Sequence, residues 1–330
     1  MTERIKAKKI LIARFSSLGD ILLTTPVVRA LRYKYPQAQI DFLLNDEYKQ
    51  VYEFNPYVNN LLLRRKNINE NDLVKKIKAR NYDLIVDLQN SFRSRKLLKN
   101  TGVMRKVFKK PTLNKFLLVK FKINRFKEII PIPVYYAGAF GNLELDGKGL
   151  DLFLPEDLKA DLKGKEKYIG LCPGSRHFTK MWPVEYFIEL GKMLTGKGFT
   201  VVLFGGKDDK KITDEISVNI KGAVNLCNDN NLFATAVNMK KCELVVCNDS
   251  GLMHTASAVG TPLIAIFGST VKEFGFAPYK AESLILENNL LNCRPCSHIG
   301  RSNCPEKHFK CMLEITPHTV YNNILRFLSR

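Results

Sequence analysis

Short, β-branched apolar runs alternate along this chain with stretches whose apolar positions recur every three or four residues, and the alternation predicts strand, helix, strand in succession. In the first half it predicts strands at 9–13, 39–44, 61–63 and 84–87, with helices over 27–31 and over the amphipathic 69–80. Thr24-Thr25 ahead of Pro26 reads as a hydroxyl cap before a proline at the first helical position. That leaves Ser16-Ser17-Leu18-Gly19-Asp20 as a glycine-containing connection beyond the first strand. The second half predicts strands at 168–172, 200–204, 224–226, 244–247 and 263–267, with helices at 183–194, 208–219, 232–240, 252–259 and 317–328. The last of these is expected to pack back near the domain junction. Repeated βα units set strands side by side and parallel with helices on both faces, so the fold class is a doubly wound α/β fold. Gly147, Gly149, Pro155 and Gly164 among charges make 145–167 the linker, giving domains 1–155 and 165–330.

At 330 residues the chain suits two domains of roughly 150 residues each. It holds no apolar run near the ~18 residues of a membrane span and no signal-peptide core after its basic start, so the expected location is the cytoplasm. The net charge is +20, unevenly placed: residues 1–150 hold 30 Lys+Arg against 13 Asp+Glu, and residues 151–330 hold 22 against 19. A basic half suits a polyanion or an anionic lipid surface, and a near-neutral half suits a small nucleotide; a lysine-rich solvated surface is the plainer account of the same count. From Arg105 to Lys127 nine basic residues alternate with Phe108, Phe116, Phe121 and Phe126 and no acidic residue intervenes, a mixture fit for a membrane or nucleic-acid interface, or for a core helix with a solvated face.

Three turns of the second half should converge at the carboxyl edge of one sheet, where a doubly wound domain binds its ligand. They are Pro173-Gly174-Ser175-Arg176, Gly205-Gly206-Lys207-Asp208-Asp209 and Asn248-Asp249-Ser250-Gly251. The third lies between a buried strand and the helix that begins at Leu252, so its free backbone N–H groups suit an anion. No Gly-x4-Gly-Lys-Ser/Thr sequence and no Gly-x-Gly-x-x-Gly after the first strand is present, which disfavours P-loop and dehydrogenase chemistry. Lys180, ahead of Trp182-Pro183 and a helix start, could cover a diphosphate or simply be solvated. Trp182 reads as a packing anchor, and His254, one turn into its helix, as a core residue. Asp20 is either a general base for an acceptor hydroxyl or a helix cap. Cys293, Cys296, Cys304 and Cys311 have a spacing compatible with a structural zinc site, against free thiols in a folded loop.

Phe15-Ser16-Ser17-Leu18-Gly19-Asp20, Pro173-Gly174-Ser175, Thr179-Lys180-x-Trp182-Pro183, Asn248-Asp249-Ser250-Gly251-Leu252-Met253-His254, Gly260-Thr261-Pro262 and Phe267-Gly268-Ser269-Thr270 together resemble glycosyltransferase family 9, the ADP-heptose:lipopolysaccharide heptosyltransferases. The resemblance runs from Lys9 nearly to the end of the chain. It implies a GT-B fold: two facing Rossmann-like domains with a cleft between them, acceptor on the first and nucleotide-sugar on the second. It further implies an inverting transfer of heptose from ADP-L-glycero-D-manno-heptose to the lipopolysaccharide inner core, without a catalytic metal or other cofactor. By motif, Asp20 would be the base, Lys180 would hold the diphosphate, and Ser250 with Gly251 would cradle it, with Leu252 and His254 in the same donor motif. Asp249 would bind heptose hydroxyls. Ser175, Arg176, Gly205 and Gly206 would line the donor site, Asp208 or Asp209 would meet the ribose and Asn230 the adenosine. Ser16, Ser17 and Gly19 would shape the sugar cleft, and Arg64, Arg65, Lys66, Arg93 and Arg95 would meet phosphates and acidic sugars of the acceptor. The implied partners are the donor, a lipid A–core acceptor and, through the basic first domain, the inner face of the cytoplasmic membrane, with no nucleic acid.

The rival readings are another GT-B transferase or a nucleotide-sugar epimerase with a different donor, and a non-enzymatic basic protein that binds polyanions. Tolerance of Asp20→Ala would mark the last, and preference for UDP over ADP the first.

Overall fold

Five strands, β1 (Lys9–Ala13), β2 (Gln39–Asn45), β3 (Asn60–Arg64), β4 (Leu84–Asp87) and β5 (Arg105–Val107), form one parallel sheet in the order β3-β2-β1-β4-β5. A second parallel sheet contains β6 (Tyr168–Cys172), β7 (Thr200–Leu203), β8 (Val224–Asn225), β9 (Cys242–Asn248), β10 (Leu263–Phe267) and β11 (Ser283–Glu287), in the order β11-β10-β9-β6-β7-β8. This computed structural model describes residues 7–65, 69–141, 143–164 and 166–329. Unit 1 comprises the residues up to Lys110 with Ile130–Pro155, and unit 2 comprises Pro111–Ile129 with the chain from Glu156 onward.

The central strands are continuous apolar runs because helices cover both of their faces. In unit 1, Ile10, Leu11, Ile12 and Ala13 of β1 are fully buried, with Ile10 registered against Ile40 on one side and Leu84 on the other. In unit 2 the period-two alternation sorts side chains into two cores. Ile169, Leu171, Val201 and Leu203 pack with Phe187, Leu190 and Leu194, whereas Tyr168, Cys172, Val202 and Phe204 pack with Met239 and Met253. Each large side chain buried this way contributes about 1.5–3 kcal/mol. The helix Pro317–Leu328 adds Val320, Ile324 and Phe327 to the first of these cores.

Each sheet has one point where the strand order reverses, between β1 and β4 in unit 1 and between β6 and β9 in unit 2. Loops leaving those strands diverge and open a crevice at the carboxyl edge. The sequence motifs that follow β1, β6 and β9 therefore occupy the binding positions of their sheets.

Several features depart from the sequence expectation. The stretch after β1 is not an open connection: Leu18–Leu22 is a helix capped by Ser17. β5 and β11 join the sheet edges without having been anticipated. The first part of the linker is fastened to unit 1, since Arg29 donates to Asp146 at 2.7 and 2.8 Å and also pairs with Asp151, whose backbone N–H donates to Thr25 Oγ1 at 2.9 Å, whereas the part from Glu156 belongs to unit 2. The basic stretch is divided, because residues 111–129 belong to unit 2 rather than to the first domain.

Candidate functional site

At the reversal point of unit 1, Asp20 is the third residue of its short helix, and its carboxylate is fully engaged. Arg14 Nη2 lies 2.6 Å from Oδ1, the Ser17 hydroxyl donates to Oδ2 at 2.9 Å, and the Ser17 N–H donates to Oδ2 at 3.3 Å. Tyr136 OH donates to Oδ1 at 3.5 Å. Asp20 is thus the third-position member of a capping box whose N-cap is Ser17. Arg14, placed just beyond β1, is fixed by donating to Leu88 O at 2.8 Å and Ser16 O at 2.9 Å. Gln89, beyond β4, closes the turn by accepting from the N–H groups of Phe15 and Ser16 at 3.0 and 3.3 Å. Burial works against the ionised Asp20 carboxylate, but the Arg14 guanidinium and the Ser17 donors outweigh it, so Asp20 titrates below its ordinary value. The Asp20 side chain keeps 20% exposure, enough for a hydroxyl to reach it.

The carboxyl edge of unit 2 gathers the three predicted turns. Asn248, buried at the end of β9, ties two of them together: its Oδ1 accepts from Trp182 N at 3.0 Å, and its Nδ2 donates to Pro173 O at 2.7 Å. Trp182 is itself buried and donates Nε1–H to Ile315 O at 2.7 Å, which makes it a packing anchor. Asp249 is buried, with Lys180 Nζ 2.7 Å and Thr270 Oγ1 2.6 Å from its Oδ2. Ser250 caps the helix Gly251–Ala258, and its buried Oγ has no hydrogen-bond partner among the described residues. An ammonium beside a helix N-terminus with an unused hydroxyl is an arrangement that accepts an anion. Leu252 and His254 continue that helix, His254 in a buried position.

The other two turns approach each other closely. A Cβ on Gly174 would lie 2.1 Å from Asp209 Oδ1, and one on Gly206 would lie 2.2 Å from Asn230 Oδ1, so a larger residue at either position would displace the Asp209 or Asn230 side chain. Asp209 accepts from Gly206 N at 2.9 Å and Asn230 Oδ1 from Lys207 N at 3.1 Å. Burial pushes the Asp209 carboxyl up, partly offset by the Gly206 N–H. Asp208 and Arg176 are exposed, and Ser175 is half-buried.

Of the basic residues expected near an acceptor, Arg64 has its guanidinium 5.6 Å from the centre of the Phe15 ring, next to the Ser16–Asp20 turn. It also contacts Glu70 at 3.1 Å, while Arg65 pairs with Asp46 at 3.0 Å. Arg93 and Arg95 are exposed on the helix Phe92–Lys99, and Lys66 lies outside the described residues. Lys110, part of the basic stretch noted in the sequence, donates from Nζ to Asn90 O at 3.0 Å, and burial with the nearby Arg14 charge lowers its pKa.

The cysteine loop is held by a different residue from those its spacing suggests. The four thiols are neighbours, and burial pushes the Cys311 thiol up to about 12. Among the described residues, however, no group of three or more His, Cys, Asp or Glu is placed to hold a metal ion. Cys293 Sγ instead faces His308 Nε2 at 3.8 Å. The buried Arg294 fastens the loop, donating to the carbonyls of Gly268, Thr270 and Asn288 at 2.5, 2.8 and 2.5 Å and to Glu287 at 2.9 Å. It thereby fixes the turn that carries Thr270. Thr179 locks the Lys180 turn to the same neighbourhood, donating to Ser269 Oγ at 3.0 Å and accepting from Arg301 N at 2.8 Å.

A sequence profile described as glycosyltransferase family 9 (heptosyltransferase) matches residues 71–307. A lipooligosaccharide heptosyltransferase 2 of Campylobacter jejuni is 26% identical to this chain, over 94% of it and 96% of the relative. Among solved structures, a family 9 glycosyltransferase from Veillonella parvula matches with a TM-score of 0.81 at 21% identity, covering 99% of both chains. The ADP-heptose LPS heptosyltransferase II of E. coli matches with a TM-score of 0.73 at 23% identity, covering 97% of this chain and 98% of its own. The pair of Rossmann-like units is thus the GT-B fold.

Proposed function

The chain belongs to glycosyltransferase family 9 (heptosyltransferase), and from that premise we propose that it transfers heptose from ADP-L-glycero-D-manno-heptose, with inversion and without a catalytic metal, to the lipopolysaccharide inner core at the inner face of the cytoplasmic membrane. The observation that carries this reading is the Lys180–Asp249–Thr270 array beside the unpartnered Ser250 hydroxyl at a helix start. Unit 2 holds the donor. Lys180, Ser250 Oγ and the Gly251 N–H bind the diphosphate and stabilise the charge that ADP takes on as the anomeric C–O bond breaks. Thr270 and Lys180 occupy one oxygen of Asp249, which leaves the other for heptose hydroxyls.

Unit 1 handles the acceptor. As the acceptor oxygen forms its bond to the anomeric carbon, its proton passes to the Asp20 carboxylate, kept ionised by Arg14 and Ser17. Arg64 and Lys110 supply positive charge for acceptor phosphates. Removing a general base typically costs about 10²–10⁴ in rate. Asp20→Asn, together with Asp20→Ala, is expected to lose transfer by that factor while calorimetry still detects ADP binding. Full transfer by both variants would remove Asp20 as base. Preference for UDP or GDP in the same titration would replace the donor.

A further inference from the structure

Residues 111–129 carry an inverted arrangement of side chains. The helix Thr112–Phe121 turns Leu118 into a cluster with Val271 and Phe274, joined by Val119, Phe126 and Phe276. Two cations of the segment engage unit 2: Lys115 Nζ lies 5.5 Å from the Phe274 ring centre and 5.0 Å from that of Phe276, and the exposed Lys122 just beyond the helix donates from Nζ to Cys293 O at 3.0 Å and Pro295 O at 2.8 Å. The segment is thereby clamped to unit 2. The opposite side presents large apolar groups to solvent: Leu113 is 64% exposed, Phe116 54%, Phe121 56% and Ile123 49%. Phe116 and Phe121 meet edge to face at 5.9 Å. Exposed Lys120, Arg125 and Lys127 stand among them, and Glu128 is the one acidic residue of the segment.

A helix that leaves two aromatic rings and a leucine exposed beside a solvent-facing cation is not completed by water. Large apolar side chains interleaved with cations match one kind of surface, where hydrocarbon begins just beneath a layer of phosphates. We propose that residues 111–129 form a membrane-surface element in which Leu113, Phe116, Phe121 and Ile123 enter the headgroup–acyl boundary of an anionic bilayer while Lys120, Arg125 and Lys127 meet lipid phosphates. This deepens the reading of a lipid-anchored acceptor by naming the protein's own lipid contact, and it places that contact on unit 2, the unit that carries the proposed donor turns.

The test uses the full chain and vesicles alone, so its outcome is separate from that of the transferase reading. The protein is sedimented with phosphatidylglycerol-containing vesicles and with pure phosphatidylcholine vesicles, at low and high salt. Binding should favour the anionic vesicles and weaken with salt. The double variant Phe116→Ser/Phe121→Ser should bind at least about tenfold less, with an unchanged circular dichroism melt. Lys120→Glu/Lys127→Glu, which alters no packed side chain, should lose binding comparably. Equal partitioning of the wild type and both variants would overturn the proposal. So would a wild-type dimer that the Phe→Ser pair dissociates without change in vesicle binding, since the face would then belong to a second copy of the chain.

Discussion

Asp20 is held by the partner that makes it a weaker base. Arg14 at 2.6 Å and the Ser17 donors keep the carboxylate ionised, which guarantees an empty proton site at neutral pH at the expense of intrinsic basicity. The acid limb of the kcat/KM profile should therefore lie below the ordinary carboxylate range. In Arg14→Met, where burial acts with less opposition, the limb should move to higher pH; an unmoved limb would mean that another group governs it. Linkage has the same sign. A depressed carboxylate stabilises the fold above its unfolded pKa, and that contribution disappears as pH falls through the folded value. Melting of the wild type should thus weaken on acidification, with a smaller response in Asp20→Asn. In unit 2, Thr270→Val removes one donor from buried Asp249, a loss of about 1–3 kcal/mol. It should raise KM for the nucleotide-heptose by roughly ten- to a hundredfold while ADP affinity stays near wild type, and an equal loss of both would make Thr270 a structural residue. Asp20, Lys180 and Asp249 were legible in the sequence because polar residues on turns after apolar strands can be read locally. Arg14, Asn248 and Thr270 were not assigned roles, because their partners are chosen by the convergence of separate loops.

The segment after β11 illustrates how an element can be recognised for one reason and stabilised for another. Its cysteines attract attention by spacing, but Arg294 does the fastening, satisfying carbonyls at the end of β10 while paired with buried Glu287. Arg294→Met would leave that carboxylate only Lys272, 3.5 Å from its other oxygen, and would leave several carbonyls unpaired. A broken buried pair of this kind costs about 3–5 kcal/mol, so the melting temperature should drop by roughly 10 °C, with nucleotide-heptose affinity falling because the Thr270 turn loosens. A melt within a degree or two of wild type would show that the loop is held elsewhere. The elements that the sequence revealed best were β1, β4, β6, β9 and β10, each with a central stretch buried on both faces and so written mainly in apolar residues. β5 (Arg-Lys-Val) and β11 are half-buried at sheet edges, where alternating exposure admits charged residues and blurs the pattern. The helix Leu18–Leu22 escaped notice for its brevity, although Ser17 and Asp20 have the spacing of a capping box.

Charge counted along the chain put the whole basic stretch in the first half, but the folded units divide it, because a linear tally cannot see the chain cross over between Lys110 and Ile130. What survives is a division of labour tied to topology: each sheet reverses its strand order once, and each reversal carries its own motif. This makes a whole-chain prediction possible without any variant. A ligand that binds only the native form of one unit stabilises that unit by RT ln(1 + [L]/Kd), about 2.7 kcal/mol at a hundredfold excess over Kd. Amides that exchange only through opening of the unit should then slow by about a hundredfold. With saturating ADP, hydrogen exchange should show this protection in β6 and β9 and in the amides of Ser250 and Gly251, which face the proposed diphosphate. β1, β4 and the Ser17–Asp20 turn should keep their rates, because Asp20 is proposed to serve the acceptor rather than the nucleotide. UDP at the same concentration should protect β6 and β9 less, since Asn230 is the residue expected to meet an adenosine. Protection appearing in β1 instead would transfer the nucleotide to unit 1 and exchange the roles assigned to Asp20 and Lys180.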